Sequence, residues 1–275
     1  MHKSTDSSHL TLKEAVKLAR IPEEYFRNYI FKGGELHPRK IGGRWMLLRD
    51  EFVWWKENRD FKLVRLSIED YYKAFNFAVG QFYKGGFGRV AWGKTKRRDV
   101  GEFLFNQIVG KLGEVAFCKF AKDRFARVVG ISFDVEKEIP GQDIFEVEGR
   151  SPRIKVSIKA TKMQNFNLWV NEEEIDFSDA FVLCRVDLPL DHLLRAFRGH
   201  EKLSAIKDAI PQLDEVEAEV VGFAWKDELK AKGPTTKMVG IHGETVQELT
   251  RPQYAMLSGE LRRSKDEWRT LIDAL

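Results

Sequence analysis

Apolar and polar residues follow a helical spacing through most of residues 10–125 and alternate, as in strands, through much of residues 127–187. The helical spacing predicts helices over residues 12–20, 22–32, 67–83, 99–125 and 189–209, and an amphipathic helix at the C-terminus. The alternating runs predict several strands between residues 127 and 187 and another over 216–225. We therefore expect an α/β fold in which a mixed central β-sheet is flanked by helices.

The first part of the chain shows the order helix, turn, helix, hairpin, helix, which is typical of a winged helix-turn-helix domain. Thr11 is placed to cap the first helix, with Glu14 three residues later in the capping-box position. Pro22 suits the first turn of the second helix. Residues 39–41 and 44–47 predict two short strands joined by a pair of glycines, and a last helix follows them.

The length of 275 residues allows one large domain with an appendage. The pattern along the chain predicts a flexible tail over residues 1–9, a winged helix-turn-helix domain over 10–58, a linker over 59–66 and the α/β domain over 67–275. Hydrophobic content of 43% and charged content of 32% are typical of a chain with a packed core.

Residues 10–55, LTLKEAVKLARIPEEYFRNYIFKGGELHPRKIGGRWMLLRDEFVWW, resemble the excisionase family of DNA-binding domains. The informative parts are the opening LTLKEA, the turn KGGEL and the wing RKIGGRW. The resemblance implies DNA contacts from the basic side chains of the second helix and wing, namely Arg27, Lys32, Arg39, Lys40 and Arg44. The second helix departs from the family by starting Pro22-Glu23-Glu24, and two acids there would repel phosphates. A protein-binding role for the domain therefore stays open.

The charge and cysteine content narrow the class of protein. A net charge of +4 and an isoelectric point near 8.9 are compatible with a polyanionic partner. The two cysteines, Cys118 and Cys184, have no neighbouring ligands, so neither a disulfide framework nor a zinc site is expected. The start of the chain lacks the apolar region of a signal peptide, and no apolar run reaches the ~20 residues that span a bilayer. We expect a cytoplasmic protein without a membrane partner.

A basic loop over residues 84–98 is the strongest local concentration of positive charge. Its cations are Lys84, Arg89, Lys94, Lys96, Arg97 and Arg98. Glycines and the interleaved aromatic residues Phe87 and Trp92 would let the backbone approach a phosphate chain closely. The loop is a candidate DNA contact, and a solvated charged loop is the alternative.

Three charged residues lie at positions where a partner of opposite charge is expected. Glu114 has small or apolar neighbours along its side of the long helix over 99–125, so it needs a cation nearby. Asp143 follows a turn and enters a predicted strand, and Lys159 lies sixteen residues later on the polar face of the stretch KVSIKAT. The alternatives are a Glu114 at the edge of a polar strip and an ordinary cross-strand salt bridge between Asp143 and Lys159.

The order of these residues resembles the restriction-endonuclease-like nucleases of the PD-(D/E)xK superfamily. Gly113-Glu114, Gln142-Asp143-Ile144 and Ser157-Ile158-Lys159 carry the resemblance, which covers about residues 100–265. It implies Mg²⁺, with Mn²⁺ as a substitute, bound by Asp143, Glu114 and the main-chain carbonyl of Ile158. It also implies that Lys159 orients the attacking water and stabilises the transition state.

The sequence departs from the superfamily pattern at two positions. Gln142 replaces the proline, and Ser157 replaces the acid of (D/E)xK, which removes one carboxylate ligand. Glu172, Glu173 and Glu174 follow the next predicted strand, and we assign the replacement to Glu173. Glu114, Asp143, Ser157, Lys159 and Glu173 are thus the expected catalytic set.

A helix-turn-helix domain joined to a nuclease domain predicts a Mg²⁺-dependent, sequence-specific DNA endonuclease. The simplest member of that class is a type II restriction endonuclease that binds double-stranded DNA as a homodimer. The expected products carry 5′-phosphate and 3′-hydroxyl ends. The alternatives are a structure-specific recombination or repair nuclease and a DNA-binding regulator with an inactive nuclease-like domain, which Ser157 favours.

Overall fold

The computed structural model describes residues 8–84, 99–136, 142–198, 209–239 and 245–275. Residues 1–7 of the expected tail lie outside that part. Residues 8 and 9 already belong to the fold, because Arg49 N donates to Ser8 O at 2.8 Å and His9 starts a strand. The described fold therefore includes the last two residues of the segment that the sequence predicts to be a tail.

The described helices include the long segments that the sequence predicts. They are α1 (Leu12–Ala19), α2 (Glu23–Arg27), α3 (Arg49–Lys62), α4 (Ile68–Tyr83), α5 (Val100–Phe125), α6 (His192–Phe197), α7 (Lys226–Lys232) and α8 (Lys265–Ala274). A π-helical turn, Asn28–Lys32, continues α2, and single 3₁₀ turns occur at Ile175–Phe177 and Ser258–Glu260. The helix predicted over residues 189–209 is described only for residues 189–198, which include α6, and for residue 209.

The strands fall into four sheets. They are β1 (His9–Thr11), β2 (Arg39–Ile41), β3 (Arg44–Leu48), β4 (Leu63–Ser67), β5 (Val129–Gly130), β6 (Glu146–Val147), β7 (Val156–Lys162), β8 (Asn167–Asn171), β9 (Ala180–Val186), β10 (Glu215–Trp225), β11 (Thr235–Val239) and β12 (Thr245–Leu257). The long strand β12, which the sequence reasoning missed, lies between β11 and β8 in a three-stranded sheet.

The N-terminal module, residues 8–62, has the predicted order of elements. Thr11 caps α1 and Glu14 completes the capping box, as expected. The hairpin β2–β3 forms the wing, and β1 pairs with its inner strand. Phe26, Phe52 and Trp55 stack edge-on in the centre of the module, which gives these few residues a core of their own.

The linker expected over residues 59–66 is not a separate segment. Helix α3 continues to Lys62, and the next residue starts β4, an edge strand of the main sheet. Arg59 and Lys62 are buried because they face acidic and carbonyl oxygens of β10. The polar segment between the two domains is thus part of their contact.

The main sheet is mixed and has the order β4-β10-β9-β7. Strand β7 pairs with β9 in parallel, whereas β10 pairs with β9 and β4 in antiparallel. Helix α5 crosses one face of this sheet, where Phe117 and Phe120 pack with Trp268 of α8. The sheet of β8, β11 and β12 packs on the other face through Leu168, Val170 and their neighbours. The α/β layering that the sequence predicts is therefore present.

The region before β7 differs from the prediction. The sequence predicts strands over residues 126–135 and 143–148, but the described part forms only the two-residue pair β5–β6.

In the described ranges, no helix has the length and apolar character to cross a membrane.

Candidate functional site

Asp143 lies against the outer edge of β7. Its N–H donates to Val156 O at 3.1 Å, and its Oδ2 accepts from Ile158 N at 2.5 Å and from Ser157 Oγ at 3.2 Å. In a strand the N–H and C=O of one residue point to the same side, so the Ile158 carbonyl also points to this edge. Asp143, Ser157 and Ile158 are therefore brought together as the sequence predicts, although Asp143 is bonded to β7 without being part of a strand.

Burial raises the pKa of the Asp143 carboxyl above its ordinary value. The N–H of Ile158 and the ammonium groups of Lys159 and Lys111 act in the opposite direction without cancelling the effect. A buried carboxylate of this kind is stabilised when another cation approaches it. The position is thus suited to a charged ligand.

Lys159 makes an ion pair with Glu174 at the end of the following strand. Lys159 Nζ is 2.6 Å from Glu174 Oε2, and Asn171 Nδ2 donates to Glu174 Oε1 at 2.8 Å. Burial alone would raise the pKa of Glu174, but Lys159 and Asn171 outweigh it and the pKa lies below the ordinary value. Glu173, the expected replacement acid, is exposed. The acid beside Lys159 is therefore Glu174, because the turn after β8 directs this side chain, and not its neighbour, inward.

Glu114 lies in the buried middle of α5 and already has a cation. Lys111, one turn earlier, places Nζ 2.7 Å from Glu114 Oε2 and 3.0 Å from Ser132 O. The same ammonium lies 4.2 Å from the ring centroid of Phe77 and lowers the pKa of Asp143. Lys111 is thus close to both predicted carboxylate ligands. The sequence reasoning missed it, although a lysine three residues before a buried glutamate is a recognisable signal.

Gly113 explains how α5 comes so close to β7. A Cβ atom at this position would overlap the Cβ of Ala160, so only glycine allows this approach of helix and strand. The small pair Gly113 and Ala160 brings α5, and with it Glu114, against the face of β7 that is opposite to the Lys159 side chain.

The predicted magnesium ligands do not form a metal cluster of protein side chains. In the part of the chain that the structure describes, no three His, Cys, Asp or Glu side chains group closely enough to hold a metal ion. Magnesium needs only one or two protein carboxylates, because water and substrate phosphate supply its other ligands. Asp143 and the Ile158 carbonyl lie at the same edge of β7, and Lys111 is close to both Asp143 and Glu114. Glu173 is not part of this set.

The predicted DNA contacts of the module lie mainly on its surface. Arg39, Lys40 and Arg44 are exposed on the wing, and Lys32 is exposed at the end of the π-helical turn. Arg27 is also exposed, but its Nε is 2.8 Å from Glu23 Oε1. The acid at the helix start therefore reduces the positive charge of the second helix.

The predicted basic loop is described only at its beginning. Lys84 Nζ donates to Val135 O at 2.6 Å and lies 3.0 Å from Glu136 Oε2, so this cation is already paired. The other five cations, Arg89, Lys94, Lys96, Arg97 and Arg98, lie outside the described residues.

Comparisons with known proteins add no family assignment. No protein-family model, no curated protein and no solved structure matches the chain. Its function has to be argued from its own residues.

Proposed function

We propose that the protein is a Mg²⁺-dependent DNA endonuclease, in its simplest form a homodimeric type II restriction endonuclease. The observation that carries the proposal is Asp143, which is buried at the edge of β7 and bonded to Ser157 and Ile158, next to Lys159 in the same strand. A buried carboxylate, a lysine, a carbonyl and a second carboxylate on a helix are the groups that metal-dependent phosphodiester hydrolysis uses in the PD-(D/E)xK superfamily, which the sequence resembles.

Asp143, Glu114 and the Ile158 carbonyl would hold the magnesium ion. When bound, the ion would lower the pKa of a water molecule and neutralise charge on the phosphate. Lys159 would donate hydrogen bonds to the attacking water or to the phosphate oxygens, and Glu174 holds its ammonium group in place. Ser157 fixes the Asp143 carboxylate by donating to it. The resemblance to PD-(D/E)xK nucleases implies that hydrolysis would leave 5′-phosphate and 3′-hydroxyl ends.

A DNA-binding regulator with an inactive nuclease-like domain is the second candidate. Two observations favour it: Ser157 stands where a carboxylate ligand is usual, and Lys111 already neutralises Glu114. A structure-specific recombination or repair nuclease would use the same site without needing a sequence reader.

Plasmid cleavage separates these candidates. Supercoiled, linear and branched DNA are each incubated with the full chain and Mg²⁺, with and without chelator. Discrete fragments that disappear with chelator support a sequence-specific endonuclease, whereas cleavage only of branched DNA supports the structure-specific nuclease. Tight binding with intact DNA under every metal condition contradicts the nuclease proposal.

A further inference from the structure

The N-terminal module contacts the α/β domain through the residues between β7 and β8, the β7–β8 turn, residues 163–166. Tyr29 OH donates to Met163 O at 2.5 Å, and Asn28 Nδ2 donates to Gln164 O at 3.2 Å. Phe166 packs against the core of the module. The π-helical turn Asn28–Lys32, which continues α2, therefore rests on the turn that follows the strand of Lys159.

A buried ion network locks the same interface. Arg185 of β9 is fully buried, with Nη2 2.5 Å from Glu35 Oε1 of the module and Nη1 3.3 Å from Glu219 Oε2 of β10. Its guanidinium stacks on Tyr29 at 3.9 Å from the ring centroid. Burial opposes ionisation of Glu35, but the cations Arg185, Arg263 and Lys62 and a hydrogen bond from Ser258 together outweigh it and lower the pKa of Glu35 to about 2. Separating the module from the sheet would break these ion pairs, which opposes free movement of the module.

Backbone packing adds to this rigidity. Gly259 N donates to Gly33 O at 2.7 Å, and a Cβ at Gly259 would overlap the backbone of Gly34. Helix α3 also runs into β4 without a linker. Contacts of this kind differ from those of a reader on a flexible tether, for which relative motion is the default.

The module lies over the sheet face that carries the Lys159 side chain. Side chains alternate along β7, so Lys159 and Thr161 share one face. Thr161 pairs with Arg185 in the neighbouring strand, and Arg185 binds the module. A strip of partly exposed polar side chains thus leads from Lys159 over Thr161 and Gln164 to Asn28, ending at the exposed Lys32. Hydroxyl, amide and lysine side chains are the groups that contact DNA backbones.

We propose that the N-terminal module and the β7–β8 turn form one rigid surface for double-stranded DNA, which holds the bound segment within one helical turn of Lys159. Four residue steps of about 3.3 Å separate Lys159 from Met163, so the β7–β8 turn begins about 13 Å from Lys159. At about 3.4 Å per base pair, a distance of about 13–20 Å corresponds to about four to six base pairs. The identity of the ligand as DNA rests on the proposed function.

A charge series at Gln164 tests the surface. Affinity is measured by fluorescence anisotropy, in chelator and over a range of salt, with a duplex about three helical turns long. Gln164→Lys should strengthen binding about threefold and steepen the salt dependence by about one unit, and Gln164→Glu should weaken it about threefold. Gln212, exposed before β10 at the opposite edge of the sheet, provides the control. Gln212→Lys and Gln212→Glu should leave both quantities unchanged.

Spin labels test rigidity without any cleavage. Labels are placed at Lys17→Cys in α1 and Lys122→Cys in α5, both exposed helix positions. Native Cys118 reacts slowly, because burial raises the pKa of its thiol to about 12, and Cys184 is fully buried. A single narrow distance distribution, with and without duplex, supports the inference, and a broad or multiple distribution overturns it.

The two proposals fail in different ways. If Gln164 variants bind like the wild type, or if Gln212 variants respond equally, the surface is wrong even when the protein cuts DNA. If the charge series and the narrow distance hold but no metal promotes cleavage, the surface stands and the endonuclease proposal fails. With active protein, cut positions beyond one helical turn from the protected segment also overturn the inference.

Discussion

Arg185→Met removes the cation at the centre of the buried network between module and sheet. The substitution keeps an unbranched side chain of similar length but leaves the carboxylates of Glu35 and Glu219 buried beside weaker partners. Arg59 Nε lies 3.5 Å and Lys62 Nζ 3.8 Å from Glu219, whereas Arg185 Nη2 lies only 2.5 Å from Glu35 Oε1. Removing one partner of a buried ion pair costs about 3–5 kcal/mol. For a chain of this size, that lowers the midpoint of thermal unfolding by about 10 °C.

Urea unfolding followed by tryptophan fluorescence measures the destabilisation, and Arg65→Met is the matched control. Arg65 lies on β4, is 79% exposed at its side chain and has its Nη1 3.7 Å from Glu215 Oε2. Its replacement should change the free energy of unfolding by less than about 1 kcal/mol. A destabilisation by Arg185→Met as small as that by Arg65→Met would refute the reasoning.

A double-mutant cycle adds a second criterion. In the Arg185→Met background, Glu35→Gln should cost less than in the wild type, because it removes a carboxylate that no longer has its main cation. The coupling should reach about 1–3 kcal/mol. Additive effects would mean that the ion pair contributes nothing specific to the contact between module and sheet.

Three further predictions concern single positions. Burial lowers the pKa of His192 to about 4, so between pH 6.5 and 4 only the unfolded chain takes up the proton, and the free energy of unfolding decreases by up to about 3 kcal/mol as the pH falls. His192→Gln should remove most of that decrease in urea titrations at several pH values. An unchanged dependence of the free energy of unfolding on pH refutes the prediction. Lys111→Met should raise the affinity for Mn²⁺, measured by calorimetry, at least about threefold, because it removes a competing cation. Lys119→Met is the control and should not change the affinity, because Lys119 pairs with Asp70 away from the site. Equal affinities of the two variants would contradict the placement of Lys111 beside the metal ligands. Gly113→Ala should destabilise by about 1–3 kcal/mol in urea, and a neutral result would contradict the helix–strand contact.

Local signals in the sequence were sufficient for much of the fold. The capping box of Thr11 and Glu14 marks the start of α1, and the glycine pair at 42–43 marks the wing. The apolar run over 99–125 predicts α5 within one residue. Each of these signals acts over a few residues, so composition and spacing determine it.

Long-range contacts were beyond the reach of the same reasoning. Arg185 and Glu35 are 150 positions apart, and nothing near either residue names its partner. Arg59 and Lys62 make their segment look like an exposed linker in the sequence. Their acidic partners lie about 160 residues later, on β10, where local reasoning does not find them. Burial of a charge depends on what another segment brings to it, which periodicity does not encode.

The candidate site shows both cases. The order of Asp143 and Lys159 along the chain predicted that they meet, and Asp143 is hydrogen-bonded to β7, the strand of Lys159, without being part of a strand itself. Whether Glu173 or Glu174 meets Lys159 depends on the conformation of the turn after β8. The sequence does not reveal that conformation, because both residues are glutamates and are adjacent. Lys111 was overlooked because a lysine on a helix is ordinarily exposed.

Single-turnover cleavage by Lys159→Ala tests the central claim most directly. The matched control is Lys155→Ala, an exposed lysine four residues earlier near the start of the same strand. With protein in saturating excess over DNA and with Mg²⁺, so that binding does not limit the rate, Lys159→Ala should cut at least about a hundredfold more slowly than the wild type. Lys155→Ala should cut at the wild-type rate. Equal rates for Lys159→Ala and Lys155→Ala, or no cleavage by the wild type, would contradict a nuclease site at this strand.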